Sequence, residues 1–257
     1  MIRGLYTSAS GMLAGIMHTD TLTNNLANVN TAGYKKDTAV SQEFREMLIY
    51  RINDGALSGA QFSLPAGVTP IGYLGTGAAV DQIYTSHLQG SMRNTGNPLD
   101  VAISGEGFFA VNTANGVRYT RNGAFTLNAD QELVTSTGDR VLGTRGPIRL
   151  NGTKTMVDEA GNVYSDGALV DKLRIVTLAD QGVLEKQGDS YFRPAGPVQE
   201  LPARGIVQQG FLEGANVNTV SEMVDLINVF RSYEANQKMI QTQDETLGKA
   251  VNEVGRV

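Results

Sequence analysis

The sequence predicts a mainly β central domain of antiparallel hairpins, flanked by long N- and C-terminal α-helices that pair as a coiled coil on assembly. Three observations predict it. Apolar residues recur every three or four positions at both ends of the chain. From Pro65 to about Gly210 that rhythm gives way to short alternating runs broken by glycine turns. No helix-length pattern interrupts this middle stretch, so no crossover helices exist to build a parallel sheet.

At the N-terminus, Ile2, Leu5, Ala9, Met12, Ile16, Thr19, Thr23 and Leu26 form a heptad-like seam that weakens toward its end. There the chain places Asn24, Asn25, Asn28 and Asn30, although asparagine amides compete for backbone hydrogen bonds and suit helix interiors poorly. Asn30-Thr-Ala-Gly33 supplies residues that tolerate a left-handed helix end. It leaves Asn24, Asn25 and Asn28 unexplained. Asn24 and Asn28 share a face at i,i+4, where their amides are expected to fix register across a helix interface between subunits.

Residues 35–64 read as a linker or extended arm, and 65–212 as the β domain. Asn-Gly pairs at 115–116, 122–123 and 151–152 mark turns. Strands are predicted over 98–103, 108–112, 117–127, 132–135, 140–143, 172–178 and 205–209, with a turn at 158–162. Residues 213–257 hold the second helix, predicted over 219–254 with Asn218 or Thr219 as its cap. Its seam is the stronger one: Met223, Leu226, Phe230, Tyr233, Gln237, Ile240, Asp244, Leu247, Val251 and Val254. A helix of ~35 residues is ~50 Å long, more than a compact domain of this size can cover. Each buried Leu, Ile or Phe contributes roughly 1.5–3 kcal/mol. The seams therefore predict a subunit interface at Leu5, Met12, Ile16, Asn24, Asn25, Leu26, Asn28, Met223, Leu226, Phe230, Tyr233, Ile240, Leu247 and Val251 in a self-associating helical homo-oligomer, with residues 1–34 and 213–257 forming one axial core.

Composition narrows the chemistry. With 21 basic against 26 acidic residues, net charge −5 and no basic cluster, nucleic acid is an unsuitable partner. The absence of cysteine removes disulfides, thiolate metal sites and cysteine nucleophiles, and His18 and His87 alone do not make a metal site. His18 lies beside the seam and reads as an intersubunit or solvated residue; His87 shows no evident partner. The N-terminus lacks the unbroken apolar run and small-residue cleavage site of a signal peptide, and no stretch reaches the ~18 apolar residues of a membrane span. Gly72–Gly77 and Gly105–Gly107 lack the order and the following helix of a phosphate loop. The carboxylate pairs Glu43/Glu46, Asp158/Glu159 and Glu222/Asp225 read as solvated faces and turns. The sequence predicts no enzyme, no cofactor and no small-molecule substrate; the competing class is a cell-wall carbohydrate-binding or hydrolytic module, which the scattered tyrosines and absent tryptophan disfavour.

Asn24-Asn-Leu-Ala-Asn28 with Thr31-Ala-Gly-Tyr-Lys35, and Leu5 and Gly11 before them, resembles the N-terminal signature of bacterial flagellar rod and hook proteins. Leu212-Glu-Gly-Ala-Asn-Val-Asn218 and Phe230-Arg-Ser-Tyr-Glu-Ala-Asn-Gln-Lys238 resemble that family's C-terminal segment. Gly96–Ile103, Gly107-Phe-Phe, Tyr119-Thr-Arg-Asn-Gly-Ala-Phe125 and Leu133-Val-Thr resemble the start of its β domain. The length fits a rod subunit, distal or proximal, better than the longer hook subunits, which remain the alternative within the family. The resemblance implies a structural subunit exported through the flagellar export apparatus to the extracytoplasmic basal body. It also implies other rod and hook proteins as partners in a hollow axial tube that transmits torque.

Overall fold

The computed structural model describes residues 2–44, 46–52, 68–152, 154–179, 181–196, 198–203 and 205–254. The chain divides into two compact units, one of residues 1–23, 38–84 and 223–257, the other of residues 24–37 and 85–222. The linear order of segments is thus interleaved: the stretch after the N-terminal helix belongs with the β unit, and residues 68–84 belong with the helices.

The first unit holds most of α1 (Ile2–Ala27) and α2 (Thr219–Lys249). Asn218 is the cap of α2, its Oδ1 accepting from the amides of Val220 and Ser221 at 3.0 and 3.2 Å. The helix runs to Lys249 rather than Val254, because Ala250–Val254 widens into a π turn. The predicted arm is strand where it is described: Asp37–Glu43 pairs with Ala78–Thr85, and Met47–Ile52 pairs antiparallel with Val68–Leu74. Residues 53–64 of the arm lie outside the described residues.

The second unit is antiparallel throughout its described ladders. Its largest sheet runs Leu184–Lys186, Tyr191–Pro194, Gly116–Thr120, Phe108–Thr113, Arg140–Val141, Leu133–Thr135, Phe125–Leu127, with Ile175–Leu178 also joined to Phe108–Thr113. The Asn115-Gly116 signal marks a hairpin, Thr113 pairing with Gly116. Phe108 and Phe109 point to opposite faces, as strand alternation requires, and seed separate cores. Phe109 packs with Val101, Phe125, Leu133, Val141 and Ile148; Phe108 packs with Tyr119, Val176, Leu184 and Phe192. Both faces of this strand are therefore buried. The three-stranded sheet of Thr155–Val157, Asn162–Ser165 and Ala168–Lys172 and the hairpin Leu184–Pro194 are not among the predicted strands, their runs being only three to five residues long.

Candidate assembly interface

The asparagine-rich end of α1 is resolved by its partners in the β unit. Asn25 is 0% exposed; its Nδ2 donates to Asp37 O at 2.7 Å and Glu222 Oε2 at 3.1 Å, and its Oδ1 accepts from Asp37 N at 2.9 Å. The Tyr34 hydroxyl donates between Asn24 Oδ1 (2.8 Å) and Asn25 Oδ1 (3.0 Å). Asn28 donates to Asn24 O at 2.9 Å and accepts from the Thr31 hydroxyl at 3.2 Å. These amides thus hold the reversal that follows the helix. Gly33 completes it with φ +69°, its amide donating to Glu213 O at 2.7 Å, and a Cβ there would come within 2.7 Å of Asn122 Cα.

Beyond this reversal sits a buried ionic clasp. Glu213 is 1% exposed and accepts from Lys35 Nζ at 2.6 Å, Gly90 N at 2.9 Å and Arg121 at 3.2 Å. Lys35 also donates to Leu88 O, and Arg121 to the carbonyls of Ile103 and Gly105. Burial lowers the pKa of both cations, with Glu213 opposing it. Beside them Glu222 pairs with Lys36, and Lys186 bridges Asp37 Oδ2 (2.7 Å) and Lys35 O (2.6 Å) while its ammonium lies 3.8 Å from the Tyr34 ring centroid. Such a cluster contributes little net stability as a whole, yet removal of any one charge is costly.

The helical unit shows a different division of surface. On α1 the buried positions are small or polar: Ser8, Ser10, Ala14 and Thr21. Ser10 Oγ accepts from Ala78 N at 3.3 Å, and His18 Nε2 lies 2.8 Å from Ser41 Oγ. The helices run antiparallel: the glycine positions 4, 11 and 15 of α1 face, in turn, Gln243, Asn236, and Val229 with Tyr233 of α2. Large apolar side chains lie outside, with Tyr6 67% and Leu13 65% exposed and Ile16 and Met17 about half exposed. On α2, Leu226, Val229, Tyr233, Ile240 and Leu247 are half-buried on the stripe that faces α1, whereas Met223, Val224, Ile227, Phe230 and Val251 are exposed. The α2 seam therefore splits into an inward and an outward half.

Residues 5–35 match the family described as flagella basal body rod protein, residues 102–171 the flagellar hook protein FlgE/F/G D1 domain, and residues 208–253 the flagellar basal body rod FlgEFG protein C-terminal family. The chain is 35% identical to flagellar basal-body rod protein FlgG of Agrobacterium fabrum, covering 95% of this chain and 96% of that one. The chain belongs to the flagellar basal-body rod family. It is 33% identical to FlgG of Bacillus subtilis over 98% of this chain and 99% of that one, and 33% identical to the flagellar hook-basal body complex protein FlhO of the same organism over the whole of both.

The three rod-family matches meet in the clasp. Lys35 ends the first, Arg121 lies in the second and Glu213 in the third, so segments distant in the chain each supply one charge to a single buried cluster. All three residues stand inside motifs visible in the sequence, yet none shows a role there, because a lone charge in a motif carries no signal of its partner. His87, without evident partner in the sequence, is half-buried edge-on to Phe108 and Phe192, with ring centroids 5.6 and 5.2 Å away. Its Nδ1 is buried and unpaired, and burial with Lys35, Arg121 and Lys186 nearby pushes its pKa down to about 4. His18, expected to be solvated or intersubunit, is partly exposed and lies 2.8 Å from Ser41 Oγ of its own chain. Of the carboxylates weighed for hydrolysis, Asp158 closes its own turn through Asn162 and Ala160, and Glu222 belongs to the clasp. Among the described residues no group of three His, Cys, Asp or Glu is placed to hold a metal ion.

Proposed function

We propose that this protein is a structural subunit of the flagellar basal-body rod that assembles, through its terminal helices, with copies of itself into a hollow axial tube transmitting torque from motor to hook. The observation that carries this reading is the reversed surface of α1, which buries Ser8, Ser10, Ala14 and Thr21 and exposes Tyr6, Leu13, Ile16 and Met17. A helix of this kind in a finished monomer would face the wrong way. It becomes favourable only when neighbours cover the outward side. The outward half of α2, around Met223 and Phe230, provides a matching apolar surface, and head-to-tail repetition without closure generates a helical tube.

Within the proposed interface, the exposed Ile16, Met223, Phe230 and Val251 are the residues for neighbour contact, the half-buried Leu226, Tyr233, Ile240 and Leu247 hold the chain's own helices, and Leu5, Met12 and Leu26 are half-buried as well. Asn24, Asn25 and Asn28 act by fixing the root of α1, since their amides have partners within the chain. The antiparallel approach of α1 and α2 supports a coiled-coil arrangement that tightens on assembly. Export through the flagellar apparatus, location in the basal body and contact with other rod and hook proteins are part of the same proposal, which membership of the rod family supports.

Ile16→Asp and Phe230→Asp test it directly. Each places a charge on the outward faces, where the free subunit loses at most about 0.5 kcal/mol but an interface cannot bury it. The expected outcome is a folded subunit without tube assembly and a non-motile cell. Normal motility from either variant refutes the reading.

A further inference from the structure

The outward faces carry exposed thioethers: Met17 on α1 is 52% exposed and Met223 on α2 is 47% exposed. Met17 sits beside Leu13 and Ile16, and Met223 beside Val224, Ile227 and Phe230. The chain has 8 methionines and no cysteine, so thioethers are its peroxide-reactive sulfur, and Met239 on α2 (53% exposed) and Met156 (64% exposed) are as open to peroxide as these two. We infer that Met17 and Met223 form a redox modification site through which hydroperoxides block association of the unassembled subunit, an inference that rests on the proposed assembly role of these faces.

The chemistry needs only a hydroperoxide. A sulfur lone pair attacks one peroxide oxygen, the S–O bond forms as the O–O bond breaks, and with hydrogen peroxide the second oxygen leaves as water. Sulfur gives up two electrons and the peroxide gains them. The product replaces an adaptable apolar side chain with a polar acceptor. In water it is hydrated, but an apolar interface offers it no donor, so each oxidised contact weakens association about ten-fold. Once assembled, the same residues are shielded, so the modification selects against damaged free subunits. Met156, 64% exposed on Thr155–Val157 of the β unit, provides an internal comparison.

The test uses the full-length chain, partially oxidised with hydrogen peroxide as monomer, quenched with catalase, allowed to assemble and sedimented. Mass spectrometry then measures sulfoxide at each methionine in pellet and supernatant. The expected result is about ten-fold depletion of Met17 and Met223 sulfoxide from the pellet, equal Met156 sulfoxide in both fractions, and recovery after enzymatic sulfoxide reduction. Even distribution of Met17 and Met223 sulfoxide overturns the inference while leaving the rod reading intact. Loss of far-UV circular dichroism in the oxidised chain also overturns it, since unfolding would then explain the depletion. Failure of the untreated chain to sediment removes the assembly reading and this inference with it.

Discussion

Glu213→Ala isolates the clasp. In the native chain this carboxylate receives Lys35 Nζ at 2.6 Å, Gly90 N at 2.9 Å and Arg121 at 3.2 Å, and both cations are at most 5% exposed. Removing it leaves Lys35 with the Leu88 carbonyl and Arg121 with two backbone carbonyls, none of which carries a compensating charge. Breaking a buried ion pair in this way costs about 3–5 kcal/mol. Against a total stability of ~5–15 kcal/mol, and with a urea slope of ~1–3 kcal/mol per molar, the midpoint falls by roughly 2 M. Urea unfolding of the full chain at pH 7, followed by far-UV circular dichroism, measures it. The comparison is Glu185→Ala: Glu185 pairs with Arg193 at 2.6 Å, but both side chains are about half exposed, so the change stays within about 0.5 kcal/mol. A loss below about 1 kcal/mol for Glu213→Ala would refute the argument that the clasp encloses charges that must be neutralised locally.

Two further perturbations address the same region. His87 has its folded pKa lowered to about 4 from the ordinary 6.5, first by burial and then by Lys35, Arg121 and Lys186, with Asp37 opposing. Its neutral form is the one the fold favours, so its contribution is fully present above pH ~6.5 and is lost as pH falls toward 4, amounting to at most about 3 kcal/mol. Urea midpoints measured between pH 7 and 4 should decline in that window for the native chain and decline less for His87→Leu; parallel curves would exclude His87 as the group responsible. Asn25→Ala removes acceptor and donor groups used by Asp37, Tyr34 and Glu222 and is expected to cost about 2–3 kcal/mol. Amide hydrogen exchange at Asp37 should accelerate with it, and unchanged protection there would show that the reversal does not depend on this amide.

The sequence made the terminal helices and the antiparallel middle legible because both are periodic, and a period survives without knowledge of contacts. Asn218 and the Asn115-Gly116 hairpin were legible for a similar reason: their chemistry is local. The clasp was not. Lys35 and Glu213 are separated by 178 positions, and their partnership is a property of the folded chain alone. Asn25 was legible only in part: a polar residue on a seam reads equally as an intersubunit lock or as a buried anchor, and its bond to Asp37 appears only in the folded chain. The seam on α2 was half legible, since a 3.5-residue rhythm marks an apolar helix without saying which of two adjacent stripes faces inward.

The two kinds of contact suit different tasks. Under the proposed assembly, apolar faces such as those around Leu13 and Phe230 would associate without strong directional preference, and alone they would tolerate sliding of one helix along another. A helical array, however, repeats any angular error at every subunit, so the roots of the helices need directional fixing. Asn25 supplies it at the end of α1, Glu222 in the first turn of α2, and Lys35 with Glu213 joins the segments beyond, through bonds that form in one geometry. Buried polar groups of this kind add little net stability compared with apolar packing of the same volume. Their use here is consistent with a chain whose helix roots are set by ionic and amide contacts within the subunit, leaving apolar surface free for its neighbours.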